Sequence, residues 1–496
     1  MARYRYNRAV AYEEFEARVR RHRPSELLPA IAVVATGLEE RGIRPQENRL
    51  VLPWGLMCAA KESIRAGNEH RAPGVTPRDI QEICGAFNAV VDPILDHERE
   101  PELGALHNFF VRTAYEQFPH QASLFDDLAR PYALLVESLA EAGPMEVMDD
   151  VFWPRVLGCP LPTFEGVAFL LGIGAQKNGG RFDPAWLDQP NFEPILNTIP
   201  KETVLAVFED HFATTVEEFQ RMAEEARSKD PRLRRYDYNP LLGRPFVRLG
   251  KGRYIAPLPQ LVFRKATAAS LYYLALARLD TKGEQDAFTR DLGGLFQAYV
   301  GRELRQLPEF TVLPEIRHDR DERSVDWFVV WPDLVLLVEA KSTRLTQPAR
   351  MGTAALREDV ERTLGKAFRQ IDRSARLVTG RHPAFAAVPS DRLMAGMVVT
   401  LEPYYLANSP LIRDLLPEPG IPTTVVAVRE LERLVSIGLR RPLPPLLTEV
   451  IGDPKRRTWD ITVALGGIEP DARNPLLDAA WLELPWTRSA RERQAS

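Results

Sequence analysis

The chain has 496 residues, of which 45% are apolar, and its formal net charge is only −4. This length exceeds a single compact core, and the near balance of charge excludes a uniformly basic nucleic-acid coat, so we expect a soluble globular protein of two or three domains. The chain has three separated cysteines and eight scattered histidines, which argues against a disulfide scaffold and a structural zinc site. It has no apolar run long enough to span a bilayer, and its start is rich in Arg and Glu, so we expect a cytoplasmic protein.

The first half of the chain shows helical periodicity. A polar, turn-rich segment over residues 229–240 ends this half, so we predict a mainly α-helical recognition or regulatory domain over residues 1–235. This half is also where we expect a protein partner to bind. The predicted helices cover residues 9–21, 25–41, 53–66, 77–95, 105–117, 123–142 and 203–228.

The second half mixes strand and helix signals, which makes the whole chain an α+β protein with an α/β region near its C-terminal end. Residues 236–284 predict a connecting segment, and residues 285–440 predict an α/β core around a central mixed β-sheet. Residues 441–496 are rich in proline, so we expect an irregular extension packed on that core. The predicted elements include a β-hairpin over 245–257, a helix over 260–279, and strands over 397–401 and 423–428.

Two apolar runs in the core region carry the most informative residues. The run over residues 325–330 contains Asp326, and the run over residues 334–338 is followed by Glu339, Ala340 and Lys341. Successive side chains of a strand alternate between faces, so Glu339 and Lys341 point the same way. If the two runs pair antiparallel, Asp326 lies near them at the same edge of the sheet.

An aspartate, a glutamate and a lysine at one sheet edge suit phosphodiester chemistry. Mg²⁺ takes one or two carboxylates together with phosphate and water, and a metal so held activates water and stabilises developing charge. Lysine can position or deprotonate that water, whereas arginine cannot lose a proton, and this chain otherwise prefers arginine. The alternative is that Glu339 and Lys341 form a solvated ion pair, which contributes little.

The stretch Ser-Val-Asp-Trp-Phe-Val-Val, followed by Leu-Leu-Val-Glu-Ala-Lys-Ser, resembles the core motif of the PD-(D/E)XK, or restriction-endonuclease-like, superfamily of nucleases. The resemblance implies an α-β-β-β-α-β core and Mg²⁺-dependent hydrolysis, with Mn²⁺ able to substitute. It implies Asp326, Glu339 and the carbonyl of Ala340 as metal ligands, and Lys341 as the catalytic lysine. It also favours DNA as the substrate. Nuclease cores that cut both strands usually work as pairs, which fits a homodimer, and large helical domains joined to such nucleases resemble bacterial restriction and phage-defence proteins.

An amphipathic helix is predicted upstream of this motif, over residues 286–304. It resembles the first core helix of the family, which often supplies a further acid to the site. Gln297 occupies that place here. Glu303 on the same helix or Glu315 on the next predicted strand could replace the acid, and the alternative for Gln297 is an ordinary surface amide.

A second amphipathic helix is predicted downstream, over residues 353–378. One face is apolar and can pack on the sheet, while the other is basic at spacings of three and four residues and can meet phosphates. A solvated basic face is the alternative. Lys366 and Gln370 match a Lys…Gln pattern of the family. The phosphate-binding candidates are Arg362, Lys366, Arg369 and Arg373, with Gln370 in support.

The sequence thus predicts a metal-dependent endonuclease. A nuclease-fold module that binds nucleic acid or protein without catalysis is the main alternative, because Gln297 stands where the family often has an acid. A third hypothesis is a nuclease subunit that becomes active only when a partner engages the helical half of the chain.

Overall fold

A computed structural model describes residues 10–41, 51–71, 74–95, 103–121, 124–250, 252–308 and 310–488. Over these ranges the chain is mainly helical and also builds two larger β-sheets, so the predicted α+β class is confirmed. Residues 1–9 and 489–496 of the outer predicted domains, and Lys251 at the tip of the predicted hairpin, lie outside the described residues.

The α-helices are mostly short, and in these ranges none is both long and apolar enough to cross a membrane. In chain order they are α1 (Tyr12–Val19), α2 (Pro24–Arg41), α3 (Pro53–Ala66), α4 (Pro77–Asn88), α5 (Leu103–Gln117), α6 (Leu124–Leu135), α7 (Phe152–Leu157), α8 (Leu161–Lys177), α9 (Glu193–Leu196), α10 (Lys201–Val207), α11 (Val216–Glu225), α12 (Gln260–Arg264), α13 (Ala268–Arg278), α14 (Lys282–Leu304), α15 (Gln347–Arg350), α16 (Ala355–Val360), α17 (Lys366–Thr379), α18 (Pro410–Arg413), α19 (Val428–Gly438), α20 (Leu443–Gly452), α21 (Ile461–Ala464) and α22 (Pro475–Glu483).

A four-stranded sheet joins the mainly helical half to the connecting segment, with β3 and β4 forming the predicted hairpin. The helix predicted over residues 203–228 was wrong in its middle, because β2 interrupts it. Two β-branched threonines favour a strand there, and Thr215 then caps α11 through the backbone N–H of Glu218. The predicted boundary at residue 235 falls between strands that share this sheet. The strands, in the order β1-β4-β3-β2, are β1 (Arg181–Phe182), β4 (Arg253–Ile255), β3 (Phe246–Gly250) and β2 (Ala213–Thr215).

A mixed five-stranded sheet occupies the region predicted as the α/β core. β9, β10 and β11 are parallel, whereas β8 is antiparallel to both of its neighbours, β9 and β5. The carboxyl ends of the parallel strands therefore meet the start of β8 at one edge. The strands, in the order β11-β10-β9-β8-β5, are β11 (Thr423–Ala427), β10 (Leu393–Thr400), β9 (Leu334–Lys341), β8 (Trp327–Val330) and β5 (Thr311–Pro314); a small hairpin of β6 (Arg317–His318) and β7 (Glu322–Arg323) links β5 to β8.

Helices cover both faces of the five-stranded sheet. On one face, α14 and α19 pack against side chains that include Trp327 and Val338. On the other, α16 and α17 pack against side chains that include Phe328 and Leu337. Apolar residues thus occupy both faces of the central strands, as expected for buried strands with near-continuous apolar runs.

Three predicted elements differ in detail. The helix expected over 260–279 breaks into α12 and α13, because Thr267 starts a new helix by capping the N–H of Ser270. The helix expected over 353–378 contains a π-helical turn, Glu361–Gly365, between α16 and α17. The extension beyond residue 440 contains α20, α21 and α22 and is therefore less irregular than expected, because Pro444, Pro445 and Pro475 lie in the first turns of α20 and α22, where a missing N–H costs little.

The close packing of α14 on β8 predicts opposite effects for two glycine substitutions in one helix. A Cβ at Gly301 would overlap the Trp327 ring, whereas a Cβ at Gly283 would meet only the Thr281 hydroxyl, at an ordinary contact distance of 3.9 Å. We expect Gly301→Ala to lower the free energy of unfolding by about 1–3 kcal/mol and Gly283→Ala to raise it by up to about 1 kcal/mol. Urea unfolding of both variants measures the difference, and equal effects would contradict the packing described here.

Candidate active site

Asp326 and Glu339 face each other on two paired strands. Asp326 immediately precedes β8, and Glu339 lies near the end of β9. The register pairs Trp327 with Val338, so the next position along places Asp326 opposite Glu339. The backbone N–H of Ala340 donates a hydrogen bond of 2.7 Å to Oδ2 of Asp326. The antiparallel arrangement predicted from the sequence therefore brings the two carboxyl groups to one face of the sheet edge.

Both carboxyl groups are buried, and burial changes their acidity. Burial raises the pKa of Asp326 to about 6. Burial, and then the negative charge of Asp326, raise the pKa of Glu339 to about 8. The Oε2 atom of Glu339 has no hydrogen-bond partner among the described residues. A buried carboxyl oxygen without a partner is costly unless something else supplies a positive charge or a donor.

Lys341 supplies part of that compensation. It lies two residues beyond Glu339 on the same face, and its ammonium group donates to Oε1 of Glu339. Its side chain retains 18% of its surface exposed, against 2% for Glu339. The lysine therefore lies between the buried carboxyl pair and solvent, where a substrate phosphate would approach.

Glu315 is the third acid that lies closest to this pair in the sheet. Pro314 of β5 pairs with Trp327, and continuing the register by one residue places Glu315 opposite Asp326. The charge of Glu315 is one of the effects, after burial, that raise the pKa of Asp326. Its carboxylate also lies 3.6 Å from Arg323. Of the two acids named as replacements in the sequence, Glu315 is the one near the site.

Glu303 and Gln297 lie elsewhere on α14. Glu303 is fully buried and accepts a 2.6 Å hydrogen bond from Asn474 on the opposite side of the sheet, so it does not serve as the third acid. Gln297 contributes its backbone carbonyl, which accepts the indole N–H of Trp327 at 3.0 Å. Trp327 and Asp326 are adjacent in a strand and point to opposite faces, so α14 packs on the face away from the carboxyl pair.

Gln370 and Ser374 on α17 hold the chain segment that leads into Asp326. The side-chain amide of Gln370 donates to the carbonyl of Ser324 at 2.6 Å. The hydroxyl of Ser374, one turn later, accepts the backbone N–H of Val325 at 3.0 Å. These contacts make Gln370 a positioning residue for the strand and not a direct ligand of phosphate.

The basic stripe of the downstream helix is largely ion-paired. Lys366 is the exception: it is exposed, forms no ion pair with another described residue, and precedes Gln370 by one turn. The surface pairs are screened and individually weak, so phosphates could compete for them. They are Arg362 with Asp359, Arg369 with Glu361, Arg373 with Glu322 and Arg376 with Asp372.

The carboxylate oxygens at this site suit a small divalent cation that keeps part of its water shell. They suit a cation held only by protein ligands less well. Across residues 10–488, outside the undescribed gaps, no three histidine, cysteine, aspartate or glutamate side chains form a group that could hold a metal by themselves. Mg²⁺ keeps several waters and needs only one or two carboxylates with substrate phosphate. Asp326 and Glu339, with the unpartnered Oε2, fit that requirement; the resemblance adds the carbonyl of Ala340.

An ionic cluster beside the site was not predicted. Glu402 follows β10 and binds two arginines from the segment after β9: Arg344, at 3.1 Å, and Arg350. Burial alone would raise the pKa of Glu402, but the charges of these arginines lower it. The sequence did hold a signal for this cluster, because charged residues follow two strands that are parallel, and parallel strands end at the same edge of a sheet.

The raised pKa values predict that the metal-free protein loses stability as pH rises. Between about pH 5 and 8 the folded chain binds more protons than the unfolded chain, so the free energy of unfolding falls, by at most about 1.4 kcal/mol per pH unit for one proton. We expect Glu339→Gln to flatten this slope in EDTA. Millimolar Mg²⁺ should stabilise the wild type at pH 8.5 but not this variant.

Urea unfolding at several pH values measures both effects. Glu358→Gln, an exposed glutamate on α16, is the matched control and should retain the wild-type slope. An unchanged slope in Glu339→Gln, or equal stabilisation of both variants by Mg²⁺, would show that the carboxyl pair does not behave as described.

Comparisons with known proteins add no identity to this geometry. No protein-family model matches the chain, and neither the curated proteins nor the solved structures contain a significant match. What bears on function is the site itself: the buried, facing carboxyl groups of Asp326 and Glu339, Lys341 beside them, and Glu315 one strand away.

Proposed function

We propose that the protein is a metal-dependent endonuclease that hydrolyses phosphodiester bonds, with DNA as its substrate. The observation that carries the proposal is the pairing of Asp326 with Glu339 on adjacent strands, with Lys341 bonded to one oxygen of Glu339 and no hydrogen-bond partner for Oε2 in the described part of the chain. Structural ion pairs are normally satisfied on all sides when buried. A half-satisfied buried pair at a sheet edge is more typical of a site that takes a cation.

Asp326 and Lys341 would have different roles in the reaction. Mg²⁺, when bound, would supply a Lewis acid for the phosphate and lower the pKa of a coordinated water. Asp326 is held in place by the N–H of Ala340, so its orientation is fixed before substrate arrives. Lys341 has three donors, of which Glu339 takes one, which leaves donors for the attacking water or a non-bridging phosphate oxygen.

DNA is favoured by the resemblance of the sequence motif, and a restriction or phage-defence setting by the large helical half that is joined to the core. Lys366, exposed and without an acid partner in the described chain, supports a phosphate contact on the same side of the sheet as the carboxyl pair. A homodimer would place two such sites on opposite strands of a duplex. Cleavage assays on linear, circular and single-stranded DNA and on RNA distinguish the substrates.

The central test measures the cleavage rate of active-site variants, of a surface-lysine control, and of the wild type with and without divalent metal. Asp326→Ala and Lys341→Ala should each reduce the cleavage rate at least about a hundredfold, the usual contribution of a positioned acid, base or charge. Lys282→Ala removes a lysine that pairs with Asp286 on the surface of α14 and should cleave like the wild type. Cleavage should require Mg²⁺ or Mn²⁺ and stop in EDTA. Metal-independent cleavage, or cleavage retained by Lys341→Ala, would falsify the proposal.

Lys366 should contribute to affinity through charge alone. We expect Lys366→Ala to weaken DNA binding and to reduce the slope of log affinity against log salt by about one unit. Arg376→Ala is the matched control, because Arg376 already pairs with Asp372 at 3.0 Å and should change the slope less. Binding titrations in EDTA at several salt concentrations measure both slopes. If both variants changed the salt slope equally, Lys366 would not be a specific contact to the DNA backbone.

A second candidate function is a nuclease that a partner activates. The observation that favours it is the contact between α5 of the helical half and the loops that follow β9 and β10. The hydroxyl of Tyr115 donates to the carbonyl of Pro403 at 2.9 Å, and Arg350 lies over the Tyr115 ring at 5.7 Å. A partner that moved α5 would move these loops. Cleavage that appears only with co-purified material would favour this candidate, and binding without cleavage under all conditions would favour an inactive module.

A further inference from the structure

A cavity of about 1170 Å³ opens beyond the carboxyl ends of β10 and β11, between the sheet and the C-terminal helices. Ligands of open α/β sheets bind at such carboxyl ends, and the volume is ample for a small organic ligand. The residues that matter for its chemistry are Phe118, Tyr405, Arg429, Glu430, Trp459 and Asp460.

Aromatic side chains form part of the cavity wall. Tyr405 is held edge-on by Phe118, with ring centroids 5.2 Å apart, and by Tyr115, at 4.9 Å. Trp459 is 39% exposed, although a large apolar side chain usually finds cover. The next residue after Tyr405, Leu406, has a φ of +66°, a strained conformation for a bulky side chain. Packed and strained supports fix Tyr405, while Trp459 stays partly exposed beside Lys455, whose ammonium lies 5.9 Å from the centre of its ring.

A carboxyl pair lies in the same wall. Glu430 accepts the backbone N–H of Ala427. Burial, and then the hydrogen bond and charge of Asp460, raise the pKa of Glu430 well above its ordinary range. Burial alone would raise the pKa of Asp460, but hydrogen bonds from Glu430 and Thr462 lower it. Asp460 is therefore the ionised acceptor, and it is the exposed member of the pair.

Arg429 is the arginine of this wall that no acid contacts directly. It is half-buried, its guanidinium carbon lies 5.9 Å from the centre of the Tyr405 ring, and it makes no direct ion pair with another residue of the described chain, although its charge favours the ionised forms of Glu430 and Asp460 nearby. The other arginines that line the cavity each have a direct acid partner: Arg130 with Asp127 and Glu432, Arg433 with Glu469, and Arg473 with Asp478. A half-buried guanidinium that no carboxylate contacts directly has donors left for a phosphate or carboxylate of a ligand.

We propose that this cavity binds a nucleotide. Its base would stack against Tyr405 or Trp459, its amino or ring N–H groups would donate to Asp460, and its phosphate would meet Arg429. Aromatic faces accept any base, whereas the carboxylate selects bases that present a donor. The same chemistry has two sources: a free nucleotide, or an unstacked nucleotide of a nucleic-acid strand.

The cavity is adjacent to the candidate active site and distinct from it. Tyr404 lines the cavity, and its hydroxyl donates to the carbonyl of Thr343 at 3.1 Å, two residues after Lys341. The backbone N–H of Leu401, at the end of β10, donates to the carbonyl of Lys341 itself at 3.1 Å. An occupant of the cavity would thus contact the loop that follows β10, the strand that pairs with β9 at Lys341. The binding proposal does not depend on cleavage.

Calorimetric titration of the full-length protein in EDTA tests the proposal. The probes are the common nucleoside 5′-monophosphates and a short single-stranded oligodeoxynucleotide. Arg429→Ala should weaken binding about tenfold or more, the loss expected for one charge-assisted hydrogen bond. Trp459→Ala, a change at an exposed side chain, provides a second variant that spares the core. The matched control is Arg78→Ala, which removes an exposed arginine paired with Glu82 on α4.

The outcomes separate the two sources of ligand. Mononucleotide binding that Arg429→Ala weakens assigns the cavity to a free nucleotide. Weakening seen only with the oligonucleotide assigns it to a strand. The proposal is overturned if no probe binds, or if both cavity variants bind every probe as tightly as Arg78→Ala does. Loss of cleavage in Lys341→Ala with unchanged nucleotide binding would confirm that the two sites are separate.

Discussion

The antiparallel pairing of β8 with β9 is the interaction on which the candidate site depends. Its register places Asp326 opposite Glu339 and, one residue on, Trp327 opposite Val338. Because side chains alternate along a strand, a slip of one residue would send Asp326 to the α14 face and Trp327 to the α17 face. The apolar packing that fixes the register, Trp327 on Gly301 of α14, is therefore also what positions the carboxyl pair.

Burial of an acid is not by itself evidence for a site in this chain. Glu165 of α8 is fully buried, neither of its carboxyl oxygens has a hydrogen-bond partner among the residues that the structure describes, and burial raises its pKa well above the ordinary range. Nothing around it suggests chemistry, since its neighbours belong to the apolar core. Glu339 differs because a second acid, Asp326, raises its pKa further and because Lys341 holds only one of its oxygens. Convergence of charges at a strand edge, and not burial, distinguishes the candidate site.

Local patterns predicted the site's backbone well, because its two strands are continuous apolar runs joined by a short turn, and alternation then fixes the faces of Glu339 and Lys341. The nearness of Glu315 depended on a third strand whose register no local pattern reveals. The role of Gln370, bonded to the carbonyl of Ser324, arises from tertiary packing of α17. The strand β2 inside a predicted helix and the Glu402 ion pairs had local signals, two β-branched threonines and charged residues shortly after parallel strands, but their partners lie on distant segments of the chain.

The helix formed by α17 and the π-helical turn before it is less basic in the fold than in the sequence. Read along this helix, Arg362, Arg369, Arg373 and Arg376 form a basic stripe, but the fold places an acid beside each of them. Each pair is formally neutral, so within the described chain the uncompensated charge of this stripe reduces to Lys366. Exposed ion pairs contribute at most about 1 kcal/mol, so a polyanion that approached this face could exchange for the acids. The helix would then present its full positive face only in the presence of such a polyanion.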